Sequence, residues 1–70
     1  MSRQERVARD LVAKYGMPTA RIMAGSRGLR HLVVKPALEN RKVTADDVFL
    51  WTFWHCVTAS LNKMVRHEVA

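Results

Sequence analysis

Cys56 directly follows His55, placing a thiol beside the kind of base that could activate it. Neighbouring residues on a helix point about 100° apart, so this imidazole cannot take that proton. Cys56 is expected as a small core residue instead. Ser26, between Gly25 and Arg27, lacks the strand-to-helix elbow that exposes a nucleophilic serine. Asp46 and Asp47 read as charge at a helix start. His31, His55 and His67 lie far apart, and none has a His, Cys or carboxylate three or four residues away. That spacing would be needed to set two metal ligands on one helical face. The sequence thus predicts no enzyme, no metal site and no cofactor.

The cations carry more information. The net charge is +6 over 70 residues, which points to an acidic partner. From Met1 to Lys42 there are ten Lys or Arg against three acids, a net of +7; the remainder carries −1. The first part is expected to bind and the second to pack. Arg6 and Arg9, with Arg3, form a spaced row that can track phosphates, and Arg21 continues the positive charge. Arg27, Arg30, His31 and Lys35 make a denser group, in which arginine can fork onto a guanine edge. Nucleic acid is therefore the expected partner, duplex DNA favoured, with an acidic protein as the rival.

Seventy residues make one domain, residues 1–70, with a small core. A single cysteine allows no internal disulfide, so helix packing or self-association must stabilise it. A homodimer is expected. No signal-peptide pattern is seen, and the apolar-rich stretch from Val48 to Leu61 is shorter than the roughly 20 residues a membrane span needs. A cytoplasmic protein with no membrane partner follows as the expectation.

The elements that must position these residues are helical. Val7, Ala8, Leu11, Val12 and Tyr15 recur at helical spacing and predict a first helix from about Ser2 to Tyr15, stopped by Gly16. Pro18 or Thr19 opens a second, short helix to about Ala24, with Ile22 and Met23 as its apolar residues. Gly25-Ser26-Arg27-Gly28 reads as a turn. Leu29, Leu32 and Val33 suit another short helix, although Val33 and Val34 also suit a strand. Pro36 pushes Lys35 away from helical geometry, and Pro36 to Val43 reads as a turn.

The last helix is capped by Thr44, with Asp47 completing a relative of the capping box, and runs to about His67. Lys63, Arg66 and His67 suit its C-terminal end. Leu50, Trp54, Val57, Leu61 and Met64 follow a 4-3-4-3 rhythm, the seam of a helix–helix interface, and are expected to pack the core and a dimer. Phe49, Phe53 and Cys56 widen that face on one side and Trp51 on the other. Phe49, Trp51, Phe53 and Trp54 could alternatively form a docking surface for a larger protein.

Helix, turn, short helix, turn, helix from Val7 to Val34 resembles the helix-turn-helix family in outline. The resemblance implies that the last of these helices enters the major groove, with Arg27, Arg30, His31 and Lys35 in contact. Gly25-Ser26-Arg27-Gly28 also resembles the glycine-x-x-glycine loop of the KH family, which clamps a nucleic-acid backbone. The fold expected is all-α, with three to four helices: a basic, helix-turn-helix-like half over residues 1–42 and one long packing helix over about 44–67. The function expected is a small DNA-binding transcriptional regulator, with a helical adaptor or inhibitor of a larger protein as the alternative.

Overall fold

The computed structural model describes residues 2–69, with side-chain surroundings as far as Arg66. The His67 side chain, expected to favour the end of the last helix, lies outside the described residues. Among those described the chain is all-α, without a strand. Its elements are α1 (Arg3–Tyr15), α2 (Met17–Leu29), a π-helical turn (Arg30–Val34), α3 (Lys35–Leu38) and α4 (Ala45–Val69).

Ser2 caps α1 by accepting the Glu5 N–H at 3.2 Å, satisfying one of the donors that every helix start leaves free. Gly16 ends α1 at φ +82°, a region that costs a Cβ-bearing residue energy, as the sequence predicts. It also begins α2, since its N–H reaches the Val12 carbonyl at 2.9 Å and its own carbonyl accepts from Ala20 at 3.0 Å. One residue thus links two helices.

The second element departs most from expectation. Gly25 to Gly28 form no turn; they are helical, and α2 continues well past Ala24. Leu29, Arg30, Val34 and Lys35 all keep right-handed helical dihedrals, so α2, the π turn and α3 are one rod from Met17 to Leu38. The separate reading helix of the helix-turn-helix outline and the loop of the KH outline are therefore not formed here. The reason lies in packing. Ala20, Ala24 and Gly28, one helical turn apart, are buried and let α4 approach closely. A Cβ on Gly28 would meet Trp51 Cδ1 and Trp54 Cβ, each at 3.4 Å. Only a small residue fits this crossing, and glycine there costs roughly 1 kcal/mol of helix propensity relative to alanine.

Pro36 likewise fails to stop the helix, and Lys35 is helical at φ −64° and ψ −47°. Proline in an α-helix lacks one N–H and presses its ring on the carbonyl four residues back. The π turn just before it widens the ladder, with the Lys35 N–H reaching back five residues to the Arg30 carbonyl. The rod ends at Asn40, in the left-handed region at φ +50°. Arg41 N–H bonds the Pro36 carbonyl at 3.0 Å and Asn40 N–H bonds that of Ala37 at 3.2 Å, the two hydrogen bonds of a Schellman stop.

Thr44 and Asp47 cap α4 reciprocally. Thr44 N–H donates to Asp47 Oδ2 at 2.9 Å, and Asp47 N–H donates to Thr44 Oγ1 at 3.3 Å. Arg3 lies over Phe53, while Arg9 shares a groove with Ser60 and Lys63, so α1 and α4 run parallel. Gly28 meets Trp51 and Trp54, while Ile22 neighbours Thr58 and Asn62, so α2 runs antiparallel to α4.

The core is Ala8, Leu11, Ala20, Ala24, Val57 and Leu61, flanked by Phe53, Trp54 and Met64 among others. The predicted seam is thus filled largely within the chain. Val57 and Leu61 are fully covered by α1 and α2 and offer nothing to a second chain, whereas Leu50 stays 38% exposed. Ile22, named above as one of the apolar residues of the second helix, is 70% exposed, because alanines take the inward positions of α2.

Candidate nucleic-acid interface

Six of the seven predicted contact residues stand exposed: Arg6 and Arg9 on α1, Arg21 and Arg27 on α2, Arg30 in the π turn and Lys35 on α3. None of the six has a carboxylate within ion-pair distance among the described residues, where the ion pairs belong to Arg41. The seventh, His31, is half-buried, and its Nδ1 is enclosed without a hydrogen-bond partner.

The fold gathers some of these residues and separates others. The Arg27 guanidinium lies over the Trp54 ring at 5.0 Å, and that of Arg3 over the Phe53 ring at 5.7 Å. Phe53 and Trp54 meet edge to face at 5.3 Å. Two cations from different helices therefore converge on one aromatic pair where the N-terminus of α1 meets α2 and α4. Arg30 follows Arg27 by three residues, adding a third charge to the same side of the rod. A guanidinium held over an aromatic ring loses less rotamer freedom when it donates to a phosphate.

Arg9 and Arg21 lie elsewhere. Arg9 lines a groove between α1 and α4 with Glu5, Ser60 and Lys63, and Arg21 lines another between α2 and α4 with Thr58 and Asn62. They flank α4 on opposite sides and do not join the Arg27 cluster. Trp54 as a platform was hidden in the sequence by its seam position, which accounts for it fully as core. Arg3 was visible only as one of a basic row.

Two of the acidic residues, Glu39 and Asp47, are engaged by Arg41. Asp47 is 5% exposed and accepts from the Arg41 guanidinium at 2.5 and 3.1 Å, as well as from Thr44. Arg41 also pairs with Glu39 and donates to the Lys42 carbonyl at 3.2 Å. The Arg41 guanidinium, then the Thr44 N–H, hold the Asp47 carboxyl well below the usual carboxylate range. His55 is exposed and stacks on Trp51 at 5.0 Å, one turn back along α4. Among the described residues no group of His, Cys, Asp and Glu is placed to hold a metal ion, and no helix is long and apolar enough to cross a membrane.

In comparison with known proteins, no family model, no curated protein sequence and no solved structure matches the chain.

Proposed function

We propose that this is a small basic nucleic-acid-binding protein of the cytoplasm, with duplex DNA as its favoured ligand and transcriptional regulation as its role. One observation carries the reading: six predicted cations stand exposed on α1, α2, the π turn and α3 without a carboxylate partner among the described residues. Unpaired surface cations keep their full charge for an external anion, and each phosphate they neutralise releases condensed counterions. With no separate reading helix, the proposal rests on phosphate contact, and Arg27 and Arg30 are the residues assigned to it. The rod is about 10–12 Å across with its side chains, close to the roughly 12 Å width of the major groove.

The test is fluorescence anisotropy with random-sequence duplex DNA at two salt concentrations. Micromolar binding that weakens steeply with salt is the expected result. Absence of binding at low salt would remove the reading. A second reading, a helical adaptor that docks on an acidic protein, is favoured by exposed apolar side chains such as Phe49 at 73%. It predicts no affinity for random duplex.

A further inference from the structure

The bundle has three helices at one end and two at the other. α1 packs on α2 and α4 but reaches neither the π turn nor α3. The end of α1 at Arg3 lies level with Phe53, and beyond it the rod and the start of α4 continue as a two-helix hairpin. The side that α1 would have covered is apolar. On α4, Phe49 precedes Phe53, which Arg3 of α1 overlies, by one turn, and Leu50 precedes the neighbouring Trp54 by one turn, so the two continue the line of that aromatic pair past the end of α1. On the rod, Val34 and Leu38 succeed Arg30 at four-residue spacing. Exposure is 73% for Phe49, 38% for Leu50, 46% for Val34 and 81% for Leu38. One exposed apolar residue needs no explanation, but Val34, Phe49 and Leu50 stand where the π turn packs on α4, with Leu38 one turn further along the rod, and they make a patch of the kind that marks an interface.

The charges on this face run from one end to the other. Arg3 and Arg27 sit at its upper edge over Phe53 and Trp54. Asp46, exposed and about two turns below Phe53 on the same side of α4, sits near its lower edge. A face positive at one end and negative at the other fits its own copy turned upside down. We propose that this face pairs with the same face of a second copy about a two-fold axis near Phe49 and Leu50. The two hairpins then form an antiparallel four-helix bundle, and Asp46 of each chain meets Arg27 of the other. This places the dimer contact away from Val57 and Leu61, which the chain itself covers. It leaves Arg6 and Arg21 outside the contact but engages Arg27, so a second copy and a duplex gripped by Arg27 compete for that side chain, and association is read on the protein without nucleic acid.

Sedimentation equilibrium of the protein alone, from about 1 to about 300 µM near physiological salt, tests this. The expected result is reversible conversion of the 8.0 kDa chain to a species of twice that mass. Phe49→Glu and Leu38→Glu, both at exposed positions, should each raise the half-association concentration at least about tenfold while circular dichroism stays helical. Asp46→Lys should weaken association, and adding Arg27→Glu should restore it. A chain that remains at 8.0 kDa throughout overturns the proposal, as does a dimer indifferent to both glutamate variants.

Discussion

Arg41 grips Asp47 with two guanidinium nitrogens, at 2.5 and 3.1 Å, across the corner between the rod and α4. The corner has a stop on one side and a start on the other. Asn40 and Arg41 close the rod with backbone bonds, and Thr44 and Asp47 open α4. The Arg41–Asp47 pair fastens the two together. Thr44→Ala removes the side-chain acceptor for the Asp47 N–H and a donor to the Asp47 carboxylate. Loss of such a cap costs about 1 kcal/mol, or roughly 4–8 °C of melting temperature in a domain this small. Thermal unfolding followed by circular dichroism reads this directly, and an unchanged midpoint would show that the corner contributes little.

The same pair sets a pH dependence whose sign is fixed. The folded Asp47 carboxyl is held below its ordinary value, first by Arg41 and then by the Thr44 N–H. The unfolded carboxyl has its usual pKa of about 3.9. Stability from this site is therefore complete above about pH 4 and declines as the pH falls below it. Asp47→Asn cannot titrate. Urea midpoints of parent and variant should differ near neutral pH and converge toward pH 2. Parallel curves across that range would assign the acid sensitivity to other groups.

What was legible in the sequence follows from where each signal resides. The first and last helices, Gly16 and the Thr44 cap are local features, and the structure has all of them. Val57 and Leu61 were recognisable as core because large apolar residues at helical spacing have few other uses. The second element was misread because its inward face is Ala20, Ala24 and Gly28, which a search for large apolar side chains passes over in favour of Ile22. Gly25 and Gly28 suggested a turn because the reason for Gly28 is the Trp51 and Trp54 surface of another helix. Pro36 suggested a break because a π turn upstream leaves no local mark. For the candidate site, the exposed arginines were legible as charge, but the pairing of Arg27 with Trp54 depends on the α2–α4 crossing.

That crossing is testable at Gly28. A Cβ there would lie 3.4 Å from Trp51 Cδ1 and Trp54 Cβ, which is van der Waals contact without overlap. Gly28→Ala therefore fits and recovers helix propensity, and should stabilise the protein by about 0.4–1 kcal/mol. Gly28→Leu must push the helices apart and should destabilise by about 1–3 kcal/mol. Denaturant midpoints with opposite shifts are the expected outcome. If both variants were destabilised, the helices would be closer than these distances imply.

The Arg27–Trp54 contact bears on both stability and binding, and the two can be separated. Arg27→Ala alone should cost about 0.5–1 kcal/mol through the lost cation–π contact and shift tryptophan emission. Arg30→Ala, at an exposed position with no ion pair among the described residues, should leave stability unchanged. If the two arginines grip phosphates, the double variant should still fold, bind random duplex more weakly and lower the slope of log affinity against log salt by about 2, close to one per contact. Lys63→Ala, in the groove beside Arg9 and away from the aromatic pair, is the comparison. It should leave a cluster-centred interaction almost intact. Equal losses from Lys63→Ala and Arg30→Ala would mean that diffuse charge does the binding. A double variant that binds like the parent, with the same salt slope, would remove Arg27 and Arg30 from the interface.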